Sequence, residues 1–122
     1  MLEKSVVLTL NQEQQFALFA QVLTYMFRLA YHPAPQSRET IERLKDVAYE
    51  VRPWREGAQA SLEMSLSPEV VGVLKHMIDT LQALYVQWAQ QKDSLVALQH
   101  LKICRTLIEE AEQQAKSELG SE

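Results

Sequence analysis

Residues 16–31 of the chain read FALFAQVLTYMFRLAY, and thirteen of these sixteen residues are apolar. The three exceptions are Gln21, Thr24 and Arg28, whose spacing of three and four residues places them in one thin polar stripe on an α-helix. A helix that is apolar around most of its circumference needs cover on more than one side. The stretch therefore predicts a helix that is covered by other segments of the chain, by a second chain, or by both.

The residues around this stretch predict the first half of the fold. The run SVVLTL at residues 5–10 is rich in β-branched residues and predicts a short strand. Asn11 and Gln14 have the spacing of a capping box, so the first helix is predicted to cover residues 12–31 and to end before Pro33. Ser37 is a candidate cap for a second helix over residues 38–51, which Pro53 ends.

The second half carries a similar set of signals. The run SLEMSL at residues 61–66 alternates apolar and polar residues, as a half-buried strand does. Ser67 and Pro68 predict the start of a third helix over residues 68–91, and Asp93 is a candidate cap for a fourth over residues 94–117. The last two segments read as an antiparallel helical hairpin, although residues 89–93 could also continue as helix and give one bent rod.

The two halves match when the chain is shifted by 56 residues. Under this shift Ser5 falls on Ser61, the cap Asn11 falls on the cap Ser67, and Leu18 falls on Leu74. The match suggests a β-α-α internal duplication with half-repeats at residues 5–52 and 61–117, followed by an acidic tail at 118–122. We therefore predict a mainly α, four-helix bundle-like single domain with a minor two-stranded β element, a size that 122 residues fit well.

The charge distribution argues against some classes of partner. The net charge is −4, and residues 109–122 account for all of it, so the rest of the chain is near neutral. This is a poor electrostatic match for nucleic acid or for an anionic membrane, and we expect neither as a partner. The single cysteine and the lack of a signal-peptide pattern at the N-terminus lead us to expect a cytoplasmic protein.

Candidate chemical sites are few. His100 and Cys104 are four residues apart on the predicted fourth helix, a spacing that suits two ligands of one metal ion. A metal site usually needs three or four ligands, and Cys104 lies on an apolar ridge, so a core cysteine is the better interpretation. No catalytic constellation or cofactor motif is present, and we predict no catalytic residue, no metal and no cofactor.

A second candidate site combines two arginines with a tryptophan. Arg52, Trp54 and Arg55 follow the predicted second helix and could contact an anion or an acidic peptide. We favour a different interpretation, in which the tryptophan plugs the core beneath the linker and the arginine side chains extend to solvent.

The apolar first helix is the strongest functional feature of the sequence. We expect it to contribute to a homodimer interface through five residues of types that are common in interface cores: Phe19, Leu23, Met26, Phe27 and Tyr31. The leading hypothesis is a small non-enzymatic protein-interaction module, such as an adaptor, inhibitor or regulatory subunit. The alternatives are a helical protein that binds a small ligand or metal and, less well supported, a nucleic-acid-binding regulator acting through Arg38, Arg52 and Arg55.

Overall fold

The computed structural model of the chain describes residues 5–87 and 92–120. These residues form six elements in the order β1 (Val6–Leu10), α1 (Gln12–Tyr31), α2 (Ser37–Val51), β2 (Leu62–Leu66), α3 (Pro68–Gln87) and α4 (Lys92–Gly120). The predicted fold class is confirmed, because the described chain is mainly helical and its two strands form one antiparallel sheet. No helix in the described ranges is both long enough and apolar enough to cross a membrane.

The helix starts follow from side-chain hydrogen bonds. The Asn11 side chain accepts a bond from the Gln14 backbone N–H at 2.8 Å, and the Gln14 side chain accepts one from the Asn11 N–H at 2.8 Å. Ser67 accepts a bond from the Val70 N–H at 3.2 Å and caps α3. Ser37 was wrongly predicted as a cap, because it is the first residue of α2 and its hydroxyl accepts a bond from the Ala34 N–H instead.

In the second half, the bounds of α4 differ from the prediction, whereas the predicted end of α3 falls outside the described residues. α3 is described only to Gln87, and the predicted end of this helix is residue 91. α4 begins at Lys92, one residue before the predicted cap Asp93, and continues to Gly120.

The helices pack side by side around α1. α1 contacts both α2 and α4, whereas α3 packs mainly against α4. Lys75 forms an ion pair with Glu112, and Asp79 forms one with Arg105. Later residues of α3 therefore contact earlier residues of α4. The two helices are therefore antiparallel neighbours, which excludes the single bent rod.

The sheet contributes one of its faces to the same hydrophobic core as the helices. Leu8 lies opposite Met64 at the centre of the β1–β2 pairing, and Val6 and Leu10 lie opposite Leu66 and Leu62. One face of the sheet is buried among the helices, while the alternate residues face solvent. Because a lone two-stranded ribbon is marginal in water, this packing against helices is what makes the sheet stable.

The bounds of the elements recur at the 56-residue offset. β1 and β2 begin and end at equivalent positions, and α1 and α3 begin at equivalent positions. The sheet register is also symmetric, because Leu8 and its equivalent Met64 are direct partners. A common origin of the two halves remains a hypothesis, and α4 extends well beyond the position equivalent to the end of α2.

Candidate interaction surface on α1

The solvent side of α1 is apolar along most of the helix. Five positions from the second turn to the C-terminus are exposed, and none of them carries a charge: Phe16, Thr24, Phe27, Ala30 and Tyr31. The exposed fractions of the three aromatic residues are 50% for Phe16, 64% for Phe27 and 79% for Tyr31. Exposed aromatic residues that share one helix face form a surface of the kind that binds proteins. We call residues 16–31 on this side the apolar face of α1.

The five residues predicted for an interface divide into two groups. Phe27 and Tyr31 belong to the apolar face, and Leu23 lies half-buried at its centre. Phe19 and Met26 are half-buried and pack against the core of the chain. The structure therefore brings only part of the predicted set together on the solvent side.

The structure adds Phe16 to this surface, which the sequence reasoning did not include. Its ring makes an edge-to-face contact with His100 of α4, with 5.6 Å between the ring centroids. Val96 lies one helical turn before His100 and is 56% exposed, so the apolar surface extends from α1 onto the start of α4. The spacing of Phe16, Leu23 and Phe27 at i, i+7 and i+11 was the available signal for this shared face.

A hollow lies at each end of the apolar face. The N-terminal hollow has a volume of about 340 Å³ and is lined by Gln12, Glu13, Gln15, Phe16, Val51, Pro53 and Ala58. The C-terminal hollow, of about 290 Å³, lies between α1 and α3 and is lined by Thr24, Phe27, Arg28, Tyr31, His32, Leu81 and Leu84. Phe16 therefore stands at one hollow, and Phe27 and Tyr31 stand at the other.

The N-terminal hollow is held in shape by Gln15, which is only 3% exposed. Its amide nitrogen donates to the Leu10 carbonyl at 3.1 Å and to the Ala60 carbonyl at 2.8 Å. Its side-chain oxygen accepts a bond from the Arg55 guanidinium at 2.5 Å. One buried side chain thus ties the start of α1 to the strand before it and to the linker that precedes β2.

A second buried polar contact lies on the core side of α1. The Tyr85 hydroxyl of α3 donates to the Gln21 side-chain oxygen at 2.7 Å. Burial raises the pKa of Tyr85, and a hydrogen bond with Thr24 opposes that rise. Of the polar stripe seen in the sequence, Gln21 is used inside the chain, where it fixes α1 against α3, whereas Thr24 is exposed.

The predicted basic-aromatic cluster does not converge on one point. The Arg52 guanidinium stacks on the Tyr49 ring, 3.7 Å from its centroid, whereas the Arg55 guanidinium points to Gln15. Trp54 is 73% exposed and makes an edge-to-face contact with Phe19 at 5.4 Å between centroids. Trp54 therefore covers Phe19 from outside and does not plug the core.

His100 and Cys104, the candidate metal ligands, lie in different environments. Cys104 is fully buried, and burial raises the pKa of its thiol to about 12, so the thiol is protonated at neutral pH. His100 contacts Phe16 instead of a second potential ligand. Within residues 5–87 and 92–120, no group of three or more His, Cys, Asp or Glu side chains is arranged to hold a metal ion.

Comparisons with known protein families, with curated proteins and with solved structures found no match.

Proposed function

We propose that this protein is a small non-enzymatic interaction module that acts through the apolar face of α1 and forms a homodimer there. The observation that carries the proposal is the uncharged, aromatic solvent side of α1. A soluble monomer gains nothing from holding Phe27 and Tyr31 in water, whereas an interface core is rich in such residues. Adaptors, inhibitors and regulatory subunits are the classes of protein that use a surface of this kind.

The contrast with α3 supports this choice of surface. α3 begins at the position equivalent to the start of α1, yet Lys75 and Asp79 are exposed where α1 carries the apolar residues Phe19 and Leu23. The apolar face of α1 is therefore not shared by the helix that occupies the equivalent position in the second half. A closed twofold dimer is the commonest oligomer and lets one such surface cover itself.

The proposal is tested by the molar mass of the protein in solution. Size-exclusion chromatography with light scattering should give a dimer at micromolar concentrations. Phe27→Glu should shift it to a monomer, because burial of this ring in both copies supplies about 3 kcal/mol and its loss weakens the dimer about 100-fold. Since Phe27 is 64% exposed, circular dichroism should show an unchanged fold.

Val86→Glu is the matched control, because Val86 is an apolar residue of α3 with a similar exposed fraction of 62%. This variant should remain a dimer. A wild-type protein that stays monomeric across the micromolar range contradicts the proposal. A Phe27→Glu variant that stays dimeric places the interface elsewhere.

The C-terminal hollow favours a second candidate function, the binding of a small apolar ligand. Phe27, Tyr31, Leu81 and Leu84 give it apolar walls, and Arg28 places a cation at its edge. Such a hollow suits a small molecule with an apolar body and one carboxylate. Native mass spectrometry of freshly purified protein tests this candidate, and a spectrum that holds only the mass of the bare chain argues against it.

A further inference from the structure

We infer that α1 pairs with α1 of a second copy in an antiparallel arrangement, so that Phe27 and Tyr31 of each copy enter the N-terminal hollow of the other. The inference rests on the proposed function, because it assumes that the apolar face of α1 is a homodimer interface. It adds the direction of the pairing and the contacts at its two ends.

The positions of the hollows support this direction. A twofold interface uses the same patch on both copies, so each projection must meet a recess of its own surface. The N-terminal hollow lies beside Phe16, and the exposed rings of Phe27 and Tyr31 lie three to four turns further along the same helix face. Only an antiparallel partner brings these rings to that hollow.

The charges at the ends of α1 favour the same direction. Glu13 lies in the first turn of α1 and Arg28 lies in the last. Among the described residues, no side chain of opposite charge lies within salt-bridge distance of either. Antiparallel pairing places each Glu13 near Arg28 of the second copy, whereas parallel pairing places like charges together.

The middle of the apolar face permits a close approach. Ala20 lies between Phe16 and Leu23 on this face, and its small side chain leaves space for a helix to pack closely. When Phe27 of one copy lies over Phe16 of the other, Leu23 lies over Ala20 of the other copy. The same register therefore fills the centre and both ends of the surface.

Cysteine cross-linking tests the direction of pairing. Gln12 and Ala30 are both exposed and lie on the same flank of the apolar face, about 27 Å apart along one helix, which is too far for a link within one chain. We expect the double variant Gln12→Cys with Ala30→Cys to give a covalent dimer with a short thiol-specific cross-linker. Each single variant should remain uncross-linked, and so should the wild-type chain, because Cys104 is buried.

The outcomes separate this inference from the proposed function. A covalent dimer in either single variant shows parallel pairing and overturns the inference. A dimer by light scattering without a cross-link in the double variant overturns the antiparallel register but leaves the homodimer in place. If the double variant and the wild type are both monomeric by light scattering, the antiparallel pairing and the proposed homodimer are both overturned.

Discussion

Replacing Gln15 by leucine should be one of the most destabilising single changes on α1. Leucine has a similar size but cannot bond to the Leu10 carbonyl, the Ala60 carbonyl or the Arg55 guanidinium. The Leu10 carbonyl belongs to a residue that is 0% exposed, so water cannot replace the lost donor. Ala60 is exposed, and its carbonyl can be rehydrated.

The expected loss follows from these surroundings. An orphaned buried acceptor costs about 1–3 kcal/mol, and each bond that water can replace costs about 1 kcal/mol. The added apolar side chain returns about 1 kcal/mol by burial. The sum is about 3 kcal/mol, a large part of the stability of a domain of this size.

Urea unfolding followed by circular dichroism measures this loss. The midpoint should fall while the slope with denaturant stays constant, because the same surface is exposed on unfolding. Gln113→Leu is the control, since Gln113 is exposed on α4 and does not line the N-terminal hollow, so its replacement should change the free energy of unfolding by less than about 0.5 kcal/mol.

A double-mutant cycle with Arg55→Met isolates the bond between the two side chains. A Gln15→Leu variant within about 0.5 kcal/mol of the wild type would refute the assignment of Gln15 as the side chain that ties the linker to α1.

Two further variants test the core and the ends of α1. Cys104→Ala should reduce the loss of stability at alkaline pH. The thiol has a pKa of about 12 in the folded state and 9.0 in the unfolded state. The unfolded state therefore loses this proton first, and the free energy of unfolding falls above pH 9. Between pH 8 and pH 10 the wild type should lose about 1 kcal/mol more than the variant in urea titrations, and equal losses contradict this. Glu13→Arg and Arg28→Glu should each weaken the homodimer, and the double variant should recover it; a double variant weaker than both singles by analytical ultracentrifugation contradicts antiparallel pairing.

The local signals of the sequence predicted most of the element ends. Asn11 with Gln14, and Ser67 before Pro68, act through bonds that span three residues, so no knowledge of the rest of the chain is needed. Both strands end at the predicted residue and begin one residue later than predicted. The prediction of Ser37 as a cap was wrong because its hydroxyl accepts a hydrogen bond from the Ala34 N–H. This contact depends on the conformation of the turn between α1 and α2, which the local sequence does not specify.

The surface of α1 was harder to predict than its ends. The sequence showed that the helix is apolar around most of its circumference. Which side of it is buried within the chain depends on where α2 and α4 lie. Phe16 is left half exposed between these helices, while Met26 packs against the core. Trp54 was predicted to plug the core or to contact a ligand, and nothing in its local sequence indicates that it would lie outside Phe19.

The 56-residue offset shows which positions of α1 carry apolar residues where α3 carries charged ones. Phe19 and Leu23 are equivalent to Lys75 and Asp79 of α3. On α3 these charged residues form ion pairs with α4, so this side of α3 is bridged by polar contacts at the edge of a helix pair.

On α1 the equivalent side is covered differently. Trp54 lies against Phe19, so a contact within the chain accounts for the apolar residue at that position. No comparable cover from the described residues reaches Phe27 or Tyr31, which are 64% and 79% exposed. The apolar excess of the opening stretch therefore reduces to the part of α1 from Leu23 to its C-terminus, together with Phe16. It is this smaller surface, and not the whole helix, that the second copy covers in the proposed homodimer.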